Sequence, residues 1–88
     1  MTLNITFQAL ADPSRRKILE ILKKKDMSVS EILKHFEITM PSLSHHLNIL
    51  KQADLVTFQR KGQELIYSLN LSVFEEVANT MIKFFKNK

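Results

Sequence analysis

The side chains best able to do chemistry in this 88-residue chain are the adjacent histidines His45 and His46, the nearby serines Ser42 and Ser44, and the cations Arg60 and Lys61. Two neighbouring histidines raise the question of a metal. On a helix, consecutive residues point about 100° apart and do not converge on one ion. The third histidine, His35, has no convergent ligand set around it, and cysteine is absent, so no metal site is expected. The lack of cysteine also excludes a disulfide and a thiol switch. No Ser–His–acid spacing stands out, and the single glycine, Gly62, cannot build a phosphate-cradling loop. No catalytic residue, cofactor or enzymatic activity is expected. What remains is a set of hydrogen-bonding side chains beside two cations, a combination for binding.

The element that must position the histidines is a helix over residues 40 to 53, opened by Thr39 and Pro41. At 100° per residue Leu43, Leu47 and Leu50 share one side, which must face a core. Pro41, His45, Asn48 and Gln52 form the opposite side, with Ser42 and Ser44 on its flanks. His46 lies about 65° from the core direction by the same geometry and reads as structural. Lys51 is the only ionised side chain from 40 to 53. A merely solvated helix on a basic protein usually carries several Lys and Glu residues. An outward face of uncharged donors and acceptors suits the edges of nucleic-acid bases. The whole chain carries thirteen Lys plus Arg against nine Asp plus Glu, a net +4, which favours an anionic partner. Residues 12 to 26 hold most of that excess, with six basic and three acidic side chains.

The remaining elements follow from local signals. Residues 3 to 10 form a short apolar helix, and Asp12 with Pro13 caps and opens a second one that runs to about Lys25. Ser28 and Glu31 are spaced as a capping box for a third helix, which carries Ile32, Leu33 and Phe36 and stops near Glu37. About three residues then separate it from the helix at 40, the spacing of a helix-turn-helix. Leu55 to Arg60 and Glu64 to Leu69 read as two strands joined at Gly62, a hairpin tipped by Arg60, Lys61 and Gln63. Those tip cations reach flanking phosphates or a minor groove, or act as gatekeepers on an exposed edge. Arg15, Arg16 and Lys17 are weaker phosphate candidates, with a solvated helix face as the equal reading. Residues 72 to 86 return to helix, with Phe74, Val77, Ala78, Met81, Ile82 and Phe85 on one stripe and Val73 and Phe84 outside it. Together with Leu3, Phe7 and Leu10 of the first helix, this is more apolar surface than one small domain covers, and it predicts a homodimer through the first and last helices.

The expected architecture is therefore mostly α with a β-hairpin, in the order α-α-α-α-β-β-α, as one domain spanning residues 1–88. No apolar run approaches a membrane span and the first residues lack a signal-peptide pattern, so a cytoplasmic chain without membrane insertion is expected. Four blocks of residues resemble a known family: Leu10 to Leu19, Ser42 to Lys51, Arg60 to Gln63, and Ile66 to Leu69. Their order and spacing resemble the ArsR-type winged helix-turn-helix repressors, nearest to the small cysteine-free autorepressors of the sporulation-delay operon type. The resemblance implies a homodimer on double-stranded DNA, with DNA contacts at Met40, Pro41, Ser42, Ser44 and His45 and a wing from Arg60 to Gln63; the outward face adds Asn48. Metal-sensing members place cysteines in the third helix or His and Asp ligands in the last. Here those stretches are Ser30 to Phe36 and Phe74 to Asn79, and neither sensor site carries over. Position 54, commonly Gly in the family, is Asp54, a residue that tolerates the left-handed conformation. No effector pocket is legible, and sequestration of the dimer by a partner protein is left open as the route of release. The reading that competes with DNA binding is a winged-helix protein–protein interaction module.

Overall fold

Capping residues set where the helices begin. The computed structural model describes residues 3–86, with the side chain of Leu3 outside the described set. Helix α1 spans Leu3–Leu10 and α2 spans Pro13–Lys24. Asp12 precedes α2 in extended conformation and its Oδ1 accepts the amides of Ser14 at 2.7 Å and Arg15 at 3.2 Å, with Pro13 in the first turn. This satisfies two of the amides a helix start leaves open. Strand β1, Met27–Ser28, leads directly into α3, Val29–Leu33. The predicted capping box is present: Ser28 Oγ accepts the Glu31 amide at 3.2 Å and the Ser28 amide donates to Glu31 Oε1 at 2.9 Å. Helix α4 spans Met40–Gln52 behind Thr39.

Helix α3 is shorter than the sequence suggested. It ends at Leu33, and the amides of His35 and Phe36 close a tighter turn onto Ile32 and Leu33. The connection to α4 is therefore residues 34–39 rather than about three residues. Phe36 still packs against the core, but from that turn.

Strands β2, Val56–Lys61, and β3, Glu64–Leu69, pair antiparallel with Phe58 opposite Tyr67 and Lys61 opposite Glu64. Gly62 opens the two-residue turn at φ 63°, where a side chain would be strained although space is open around it. The hairpin is not alone. Met27 and Ser28 pair with Tyr67 and Ile66 on the other edge of β3, giving a three-stranded sheet of order β1-β3-β2. Two residues carry no periodic signal, so only tertiary pairing reveals β1. Asp54 sits between α4 and β2 at φ 58°, the left-handed turn the sequence asked of it.

The core lies where α2, α3 and α4 meet the sheet: Ile18, Ile32, Leu43, Leu50 and Leu55 are wholly buried, with Leu22, Leu47 and Val56 beside them. Truncating one such leucine costs roughly 2–5 kcal/mol, a large share of a small domain's stability. The last helix, α5 (Leu71–Lys86), contributes least. Val73 and Phe74 pack against the core at its start, yet no described residue of α5 is fully buried.

The cations Arg15, Arg16 and Lys17 serve helix ends. Arg15 Nε donates to the Ala9 carbonyl at 2.8 Å and Nη2 to that of Gln8 at 3.0 Å, while Arg16 Nη1 reaches the Leu10 carbonyl at 2.7 Å. They hold the C-terminus of α1, where open carbonyls and the helix dipole favour positive charge. Lys17 Nζ donates to the His35 carbonyl at 2.7 Å and lies 4.6 Å from the centre of the Phe36 ring. Arg16 and Lys17 remain exposed, and all three donate to carbonyls of α1 or of the turn after α3.

Burial works to raise the Asp12 pKa, but the amide bonds from Arg15 and Ser14, with Coulombic help from His46 and Arg15, outweigh it and leave the carboxyl below its ordinary value. A depressed carboxylate stabilises the fold above the unfolded-state pKa of about 4, and that share is lost as pH falls through the lower folded value. Asp12→Ala should cost about 1 kcal/mol at neutral pH. Asp12→Asn should cost less there and remove part of the acid sensitivity, both read from urea unfolding between pH 7 and pH 3. An Asp12→Asn protein with the full wild-type acid sensitivity contradicts the assignment.

Candidate nucleic-acid interface

Burial of Leu43, Leu47 and Leu50 turns the opposite side of α4 outward. Pro41, Ser44, His45, Asn48 and Gln52 are exposed there, Met40 is 41 % exposed at the helix start, and Ser42 is half-buried. The N-terminal end of the helix is secured by Thr39, whose Oγ1 accepts the Ser42 amide at 3.2 Å, with Pro41 in the first turn. A fixed N-terminal turn matters because residues there reach deepest when such a helix enters a groove.

The wing stands beside that end. Met40 and Gln63 line one groove together with Val29, Ser30, Glu64 and Leu65, so the hairpin turn and the start of α4 share a surface. Arg60 and Lys61 are exposed near the tip of β2. At the other end of the hairpin Lys51 Nζ sits 4.5 Å from the centre of the Phe58 ring, and Phe58 lies 5.6 Å from Tyr67. The one cation of α4 is thus tied to the base of the wing and leaves the outward face uncharged. No sequence signal marks that contact, since Lys51 and Phe58 belong to different elements.

His45 and His46 differ in burial, with ring centres 5.8 Å apart and planes tilted by 53°. His45 is exposed, whereas His46 is half-buried and its Nδ1 lies 3.2 Å from Arg15 Nη1. Among the described residues no three His, Asp or Glu side chains gather as a metal-binding group. His35 is exposed and contributes its carbonyl to Lys17.

A second surface is formed by α1 and α5. Phe7 of α1 and Thr80, Met81 and Phe84 of α5 line an apolar recess. Ile82 and Phe85 are more than half exposed and Phe84 is 73 % exposed. Of the other residues assigned to an interface, Val77 is half-buried and Ala78 exposed, while Leu10 and Phe74 pack against the chain's own core; the Leu3 side chain is outside the described residues. Phe84, set outside the stripe by strict periodicity, belongs to this surface, because a helix docked only at its start presents more than one face.

A three-helix core, a helix-turn-helix made of α3 and α4, and a hairpin following the second of them define a winged helix-turn-helix protein. The model of the bacterial regulatory proteins of the arsR family matches residues 12–57. The transcriptional repressor SdpR of Bacillus subtilis (strain 168) is 51 % identical over 82 residues, covering 93 % of this chain and 91 % of that one. An ArsR-like transcriptional regulator from Rhodococcus sp. RHA1 has the same fold with a TM-score of 0.87 at 27 % identity, covering 96 % and 79 % of the two chains. The homodimeric winged helix-turn-helix DNA-binding domain Mb0332 of Mycobacterium bovis shares the fold at a TM-score of 0.73 and 22 % identity, covering 93 % and 82 %. The chain belongs to the arsR family of bacterial regulatory proteins. That family consists of transcriptional regulators, not enzymes, and among the described residues no helix is long and apolar enough to cross a membrane.

Thr39→Ala should remove the cap of α4, costing about 1 kcal/mol of stability. Hydrogen exchange at the Ser42 amide should accelerate more than at Leu50; uniform acceleration along α4 would contradict a local cap.

Proposed function

We propose that this chain is a sequence-specific transcriptional repressor that binds an inverted-repeat operator as a homodimer in the cytoplasm, residues 1–88 acting as one DNA-binding domain. The observation that carries the reading is the nearly uncharged hydrogen-bonding face of α4 beside a basic hairpin tip. Base edges are distinguished in the major groove by donors, acceptors and small apolar contacts. Met40, Pro41, Ser42, Ser44, His45 and Asn48 supply that mixture from the first three turns of α4. Arg60, Lys61 and Gln63 contact the flanking backbone or a narrow minor groove, where most of the sequence-independent affinity arises.

The dimer is supported by the apolar surface of α1 and α5. Phe7, Met81 and Phe84 around the recess, with Ile82 and Phe85 beyond it, make a contiguous patch of the kind that marks an interface. A neighbour of the same fold is described as homodimeric. Two recognition helices related by a two-fold axis meet successive major grooves when half-sites lie about 10 base pairs apart, or a multiple of that. Light scattering at micromolar concentration should give twice the chain mass. A stable monomer with ordered terminal helices contradicts the interface.

Fragments selected from the source genome supply the operator, and affinities on operator and scrambled duplexes across a salt series test the roles. His45→Ala should lower operator affinity by roughly 1–3 kcal/mol and leave scrambled DNA nearly unchanged. Lys61→Ala should weaken both and reduce the salt slope by about one unit for each phosphate that the side chain no longer neutralises. Equal losses on both duplexes for His45→Ala, with an unchanged slope for Lys61→Ala, would overturn the division. Absence of salt-sensitive binding to any duplex favours a protein-binding module.

A further inference from the structure

Arg15 is the side chain that joins three elements at one point. Its backbone amide is fixed by Asp12 at the start of α2, its Nε and Nη2 hold the Ala9 and Gln8 carbonyls of α1, and its Nη1 meets His46 Nδ1 of α4. A guanidinium has donors and no acceptor, so the bond requires a neutral His46 ring with Nδ1 accepting and the proton on Nε2. Arg15 and His46 are both half-buried, so the bond is less exposed to competition from water than one on an open surface. His46 is followed on the core side by Leu47 and preceded on the outward side by His45.

We infer that the Arg15–His46 pair is a positioning device that couples the setting of α1 to the rotation of α4, and thereby to the aim of His45. The inference rests on the repressor reading, in which α1 joins the dimer and His45 contacts a base. Its physical content is directional. Burial of Leu43, Leu47 and Leu50 fixes which side of α4 faces inward, and the Arg15–His46 bond adds a directional contact at the edge of that side. A planar donor fork fixed to the carbonyls of α1 and bonded to an imidazole on α4 opposes rotation. Base readout needs side chains held within about 0.5 Å and 10–20°, so the pair governs discrimination between sequences more than it governs stability. It also gives α1 a route to α4: displacement of the α1 C-terminus moves the Gln8 and Ala9 carbonyls and the fork with them.

The test uses the full chain and three proteins: wild type, His46→Leu, and His46→Asn, whose side-chain oxygen stands near the position of Nδ1. In free wild-type protein, nitrogen-15 shifts of the His46 ring should report the Nε2-protonated tautomer; an Nδ1-protonated ring overturns the inference irrespective of DNA. On the selected operator and its scrambled counterpart, His46→Leu should reduce the ratio of affinities about tenfold, with binding to scrambled DNA unchanged. His46→Asn should restore the ratio to within about threefold of wild type, a rescue that space-filling alone does not provide. A preserved ratio in His46→Leu, or an equal loss in both variants, overturns the coupling while leaving the repressor reading intact. Wild-type protein that binds neither duplex overturns that reading, and the coupling with it.

Discussion

The outward direction of the uncharged face of α4 is decided by what the helix must bury. Leu43, Leu47 and Leu50 are the apolar residues that α4 drives deepest into a core shared with Ile18, Leu22 and Ile32. With a period of 3.6 residues, placing those three inside leaves Pro41, His45, Asn48 and Gln52 outside whatever their chemistry. A rotation of one residue position would turn Ser42, His46 and Ile49, or Ser44, Asn48 and Lys51, toward the core and carry leucines away from it. The core packing and the functional surface are therefore one constraint seen from two sides. The strands follow from it too, since Leu55 and Val56 continue the same core and start the hairpin that flanks α4.

Helix starts and turns were legible because their signals are local. Asp12 with Pro13, Ser28 with Glu31, Thr39 with Pro41, and Gly62 each act within a few residues, and each does in the structure what its type predicts. The separate fates of His45 and His46 were legible from helical geometry alone. Features set by contacts between distant elements were not. Strand β1 exists because Met27 and Ser28 meet Tyr67 and Ile66, far along the chain. The partners of Arg15, Arg16 and Lys17, the carbonyls of α1 and of His35, come into reach only when the elements pack together. Helix α3 stops early because a tighter turn at Lys34 and His35 brings Phe36 inward, a tertiary preference with no composition signal.

The chain divides its apolar residues unequally. The helices α2 to α4 and the sheet bury a small, complete core, while α5 keeps Ile82, Phe84 and Phe85 in solvent and touches the core only through Val73 and Phe74 at its start. For a chain of this size the buried fraction of surface is modest. Covering that exposed surface with a second copy would add burial that one chain lacks, and would also fix the distance between the two copies of α4. In the proposed function association uses α1 and α5 and DNA recognition uses α4, and Arg15 bonds α1 to α4.

In the proposed function the uncharged face of α4 lies in the major groove. Methylation protection of guanine N7, an atom exposed only in that groove, tests it most directly on a selected genomic fragment. Two protected clusters are expected, related by two-fold symmetry and about one helical turn apart or a multiple of it, on one side of the duplex. Tight, salt-sensitive binding that leaves every guanine N7 in the bound site open to methylation would contradict it.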